Sequence, residues 1–258
     1  WRRDVTAHFR FNLDRMIRLA NAADVPIVLV RPPSNLADAR PFKSQHGDHV
    51  SEADRRRITA LRLEASRLGD SEAAEAAEAG ELLSRAVAID REYAMSWYEL
   101  GIALRGVARD EEARAALARA LELDVCPLRM SQSLATELAE VAREHRTPLV
   151  DAHELLAGRC PLGVPGTPLL VDHVHPSFAG HQLIAEALFV EMARGGWVRQ
   201  SDSPQPGVRD AAWRQHAESL GRQYHMRGRQ RLLNLEYWTS GMADGKPIEE
   251  HRSPRREG

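Results

Sequence analysis

Apolar positions along the chain fall into two rhythms. Over residues 5–23, Phe9, Leu13, Met16, Ile17 and Ala20 recur at helical spacing, and the β-branched run Val25–Val30 follows. Pro32 and Pro33 end that run. A helix followed by a fully apolar strand is the pattern of a parallel α/β sheet. The loop RPPSNLADARPFKSQHG, residues 31–47, leaves the strand at its C-terminal end, where such sheets carry their ligand crevice. The rhythm returns after residue 125. Residues 131–145 predict a helix capped by Ser131, and Thr147–Ala152 a short strand. A Gly/Pro-rich loop spans 158–168, Leu169–Val171 follow, and a second apolar helix runs from Ser177.

Between these two stretches, residues 51–125 are rich in Ala, Glu, Arg and Leu, with no strand signal. They carry an internal repeat at an offset of 34 residues. Ala79 matches Ala113, Leu83 matches Leu117, Ala86 matches Ala120, and Asp90 matches Asp124. A 34-residue period of helix–turn–helix units is the tetratricopeptide signature. The unit from Ala94 fits it through Trp97, Leu100, Gly101, Ala113, Leu117 and Ala120. Gly101 and Ala113 allow a close helix approach, with Trp97 and Leu117 filling the space around it. The plainer alternative is a pair of generic amphipathic helices. From residue 199 the chain changes again, with eleven Lys/Arg against eight Asp/Glu and scattered Trp and Tyr. We expect one or two helices near 208–233 and a frayed end from about Gly245.

Composition narrows the function. The net charge is −2, so a basic excess for nucleic acid is missing. No apolar run approaches the ~20 residues of a membrane span. Two cysteines, Cys126 and Cys160, are too few for a disulfide framework and too far apart for a metal clip. The chain begins at Trp1 with no signal segment after it, and we expect further residues upstream. An export signal or membrane anchor would lie there, which leaves localisation open.

The sharpest chemistry is Asp172 and His175. Pro176 pushes His175 out of helical geometry onto a loop before a helix. Asp172, three residues earlier, can curl back to the imidazole as the orienting partner of a general base. The same spacing also arises in ordinary surface turns. Asp172, His173, His175 and His181 offer metal donors, but without a firm metal spacing, and no metal is expected. Gly69-Asp70-Ser71 spells a nucleophile-like tripeptide. However, it follows the amphipathic LRLEASRL and precedes another helical stretch, so Ser71 reads as a helix cap. Asn35 lies on the loop at the C-terminal end of a strand, where such sheets bind ligands, and Arg129 follows the repeat segment where the α/β rhythm resumes. Each reads either as a substrate contact or as a loop cap and a surface charge.

The segment LVDHVHPSFAGHQLIAEAL (170–188) resembles the last sequence block of the SGNH (GDSL-type) hydrolases, whose DxxHP motif supplies the Asp and His of a triad. Residues 12–44, 121–130 and 163–181 are similar to a subgroup with inserted tetratricopeptide units. The resemblance spans about residues 8–194. It implies a three-layer α/β domain with a partial parallel sheet from residues 1–50 and 126–198. It further implies an all-α insertion at 51–125, and the tail at 199–258 is expected as a helical extension from its own pattern. His175 would be the base, Asp172 its orienter, and Arg129 a site contact beside Asn35. The family's nucleophilic Ser, and its oxyanion Gly and Asn, precede the segment that opens this chain. The expectation is the C-terminal part of a serine esterase or acyl hydrolase, inactive alone and needing no cofactor. Its substrate would be an acylated small molecule or glycan, and a protein partner would fit the helical module. The rival expectation is a tetratricopeptide scaffold carrying a non-catalytic hydrolase fold.

Overall fold

The computed structural model describes residues 2–68, 73–199 and 205–237. The chain separates into two compact units, residues 1–184 and 185–258. Among the described residues the protein is mostly helical, with one small parallel sheet. No helix among them is long and apolar enough to cross a membrane.

The first unit opens with α1 (Arg2–Ala22) and β1 (Leu29–Arg31). Four helices follow: α2 (Glu52–Leu68), α3 (Ala73–Ile89), α4 (Ala94–Gly106) and α5 (Asp110–Leu123). The chain then returns through α6 (Gln132–His145), β2 (Leu149–Asp151) and the short α7 (Ala152–Ala157). β1 and β2 pair in parallel, Leu29 with Leu149, Val30 with Val150 and Arg31 with Asp151. Both strands are shorter than their apolar runs, because only three residues of each find a partner. Leu13 and Ile17 of α1 pack with Leu138, Val141 and Ala142 of α6 over Leu29, which covers one face of the sheet. Ser131 caps α6 by accepting from the Leu134 N–H, and Asp151 caps α7 by accepting from the Glu154 N–H at 2.9 Å. Leu169–Val171 belong to no ladder strand. The stretch makes an isolated antiparallel bridge, Leu170 to Pro176, in a tight turn that leads into α8 (Phe178–Arg194).

Helices α2 to α5 pack in sequence, each on the next, around their own apolar core. Repeat positions 79 and 113, 83 and 117, and 86 and 120 are all buried. That shared burial is the physical basis of the 34-residue pattern. The α4–α5 crossing is close because Gly101 has no side chain. A Cβ there would stand 2.7 Å from Leu117 Cγ and 3.2 Å from the Ala113 carbonyl. Gly80 differs, since a Cβ there meets only Ala103 Cβ, at 4.0 Å.

In the second unit, α9 (Pro206–Ser219) starts with proline in its first turn, where the missing N–H costs nothing. After it, α10 (Gly221–Tyr237) carries Arg222, Arg227, Arg229 and Arg231. The expected frayed end from Gly245 lies outside the described residues, as does Ser71.

The two helical glycines separate packing from propensity. Gly101→Ala is expected to destabilise the protein by about 1–3 kcal/mol through overpacking. Gly80→Ala is expected to stabilise it by up to about 1 kcal/mol through helix propensity. Urea unfolding of the two variants checks both signs.

Candidate active site

The site is built on the turn 170–177. Asp172 Oδ1 accepts the backbone N–H groups of Val174 at 2.9 Å and His175 at 2.8 Å. This closes the turn that Pro176 demands. The other carboxylate oxygen, Oδ2, lies 2.7 Å from His175 Nδ1. Burial alone would push the Asp172 carboxyl up. The two backbone donors and the imidazole outweigh that and hold it below its ordinary value. Asp172 is therefore ionised at neutral pH, and its Oδ2 is placed to accept a proton carried on Nδ1 of His175. The His175 side chain is 69% exposed, and that of Asp172 only 11%. The turn is fixed behind by the Val171 N–H to the His175 carbonyl at 2.9 Å and the Ser177 N–H to the Leu169 carbonyl at 2.8 Å. Gly180 is buried at the start of α8, where a Cβ would strike the Leu169 carbonyl.

His173 turns inward. Its ring meets Phe42 edge-on at 4.9 Å and His175 at 6.1 Å. Its Nδ1 lies 3.8 Å from Asp172 Oδ1, too far for a hydrogen bond, and has no partner. Burial pushes its pKa down against the pull of Asp172, so it stays neutral. Phe42 packs edge-on against the ring, which turns it away from solvent. His181 is exposed on α8. No group of three or more metal-type side chains is clustered among the described residues.

Asn35 and Arg129 are both brought to this place and are held by protein partners, except at Arg129 Nε, which has none. Asn35 lies on the loop that leaves the C-terminal end of β1, and it is 3% exposed. Its Nδ2 donates to the Asp172 carbonyl at 3.0 Å, and its backbone N–H to the His173 carbonyl at 2.9 Å. Arg129 is 4% exposed. It donates from Nη1 to the Asn35 and Ala39 carbonyls, both at 2.7 Å, and from Nη2 toward the Arg40 carbonyl and Asp124, both at 3.4 Å. Burial pulls the Arg129 guanidinium below its usual value, and Asp124 opposes that pull. Both side chains are thus engaged by protein groups. Neither residue is a surface group, because the polar backbone of residues 35–43 must be satisfied once it is buried.

Sequence reasoning missed Asp124 and His153. Asp124 is buried and accepts from the Phe42, Lys43 and Cys126 N–H groups. Its only sequence signal was the match to Asp90. At the same C-terminal end of the sheet, His153 Nδ1 accepts the Ser34 N–H at 3.2 Å. Ser34 Oγ donates to the Met130 carbonyl at 3.4 Å, so Ser34 and His153 do not form a nucleophile–base pair. Burial, reinforced by Arg31, pushes His153 down to about 4.

Searches against family models, curated proteins and solved structures find no match to this chain.

His153 predicts a pH window. Its folded pKa is depressed from 6.5 to about 4, so the unfolded chain binds more protons between those values. Its contribution to stability, about 3 kcal/mol at neutral pH, is complete above pH 6.5 and lost as pH falls toward 4. Urea unfolding at pH 7 and pH 4.5 should show a smaller drop for His153→Gln than for the wild type.

Proposed function

We propose that this chain is the C-terminal part of a serine esterase or acyl hydrolase of SGNH type, and that it contributes the catalytic Asp–His pair. The observation that carries the reading is the 2.7 Å contact of a buried carboxylate with Nδ1 of an exposed imidazole. In such a pair the carboxylate fixes the tautomer, and Nε2 takes the proton of an attacking hydroxyl. His175 then returns that proton to the leaving group, while Asp172 stabilises the imidazolium. No metal or organic cofactor enters this scheme. In this proposal, as the resemblance implies, the nucleophile and oxyanion donors are supplied by residues outside this chain.

The layered α/β architecture belongs to the same proposal. Parallel sheets normally bury both faces. Here the sheet has two strands among the described residues, and Val30 is exposed on β1. Phe11, Met16 and Leu19 stand about 60% exposed on α1. These uncovered apolar groups support a sheet completed by further strands. The substrate class is an ester or acylated molecule, matched to a general base that needs no metal.

A second reading, a tetratricopeptide scaffold for a protein partner, draws on one feature. A cavity of about 510 Å3 lies among α2, α3 and α4, lined in part by Arg62, Tyr98, Ile102 and Arg105. The two readings differ in what His175 does.

In the complete polypeptide, His175→Ala is expected to lower p-nitrophenyl acetate hydrolysis by at least about a hundredfold, the scale of a lost general base. Near-normal turnover in that variant favours the scaffold. A serine-reactive fluorophosphonate should leave this chain alone unlabelled, and a label on Ser71 would overturn the assignment of the nucleophile.

A further inference from the structure

A general base acts only if its free nitrogen points along one direction. His175 is too exposed for packed neighbours to set that direction. Its orientation is inherited from Asp172 and from the turn that carries both residues. That turn is closed on itself by Asp172 Oδ1 and by the Leu170–Pro176 bridge. Those contacts set its internal shape. They do not tie it to the loop at the end of β1.

Asn35 supplies that tie. Two donors of this one residue reach two successive carbonyls of the turn, Nδ2 to Asp172 and the backbone N–H to His173. Its remaining acceptors are engaged from the other side. Oδ1 accepts the Asp38 N–H at 2.8 Å, and the backbone carbonyl accepts from Arg129. An amide side chain fits because it offers a donor and an acceptor on one short planar group. Aspartate would keep the acceptor to Asp38 and turn the donor into an anion facing a carbonyl.

We infer that Asn35 is a positioning residue, which fixes the Asp172–His175 pair against the end of β1 through the backbone of the turn that carries them. The inference rests on the reading of that pair as orienter and base. It touches no substrate atom and acts only through residues 172 and 173.

Hydrogen exchange on this chain tests it directly. The Val174 and His175 N–H groups both donate to Asp172, so their exchange reports the order of the turn. In Asn35→Asp and Asn35→Ala these two amides are expected to exchange at least tenfold faster than in the wild type. The amides of α3 and α4 are expected to stay at wild-type rates. Unchanged exchange at 174 and 175 in Asn35→Asp would overturn the assignment. So would faster exchange throughout the chain, which would make Asn35 a folding residue instead. In the complete polypeptide, Asn35→Asp is expected to lower kcat for p-nitrophenyl acetate at least tenfold with KM within twofold. A raised KM with kcat intact would contradict positioning. If the complete wild-type polypeptide hydrolyses no ester, the hydrolase reading fails, and the exchange data still decide whether Asn35 holds the turn.

Discussion

The buried pair of Asp124 and Arg129 is the constraint on which the site depends. Removing two charges from water costs several kcal/mol per ion, and mutual attraction alone seldom restores it. Here the two groups recover it by capturing backbone. Arg129 donates to the carbonyls of residues 35 and 39 and reaches toward that of residue 40, while Asp124 accepts the N–H groups of residues 42 and 43. An irregular strap after β1 would otherwise bury those groups unsatisfied. The pair thus converts a loop into a fixed wall. Asn35 stands at one end of that wall against the Asp172–His175 turn, and Phe42 stands near the other, against His173.

The helical segment uses the same device twice. Asp90, one repeat before Asp124, is also fully buried. It meets His46 Nδ1 at 2.8 Å and accepts from the Gly47 N–H, and it closes its own turn through the Glu92 N–H. Asp124 closes its turn through Cys126 in the same way. Equivalent positions of two successive repeats therefore hold successive parts of one strap. Ser44 adds a further tie by accepting from the Met95 N–H, and His46 stacks on Tyr93 at 4.2 Å. On this account the helices α2–α5 brace the loop beside the Asp172–His175 pair.

Local patterns were legible in the sequence. The helices follow from apolar spacing, the repeat from matched positions, and the Asp172–His175 contact from a three-residue spacing locked by Pro176. Strand extent was not legible, because the run Val25–Val30 is apolar beyond the point where β2 can pair with it. The roles of Asn35 and Arg129 were only half legible. Their positions at the edge of the site were readable. Their burial was not, because it depends on Asp124, Asp172 and the strap arriving from distant parts of the chain. His173 shows the same limit, since only Phe42, far away in sequence, turns it inward.

The measurement that bears most directly on this account is a double-mutant cycle on Asp124→Asn and Arg129→Met, read by urea unfolding at pH 7. Each single variant should lose about 3–5 kcal/mol, the cost of leaving a buried partner uncompensated. The double variant should lose at least about 1 kcal/mol less than the two singles together, because they share one strap. Losses that add to within about 0.5 kcal/mol, or an Arg129→Met variant as stable as the wild type, would contradict a strap held by this pair.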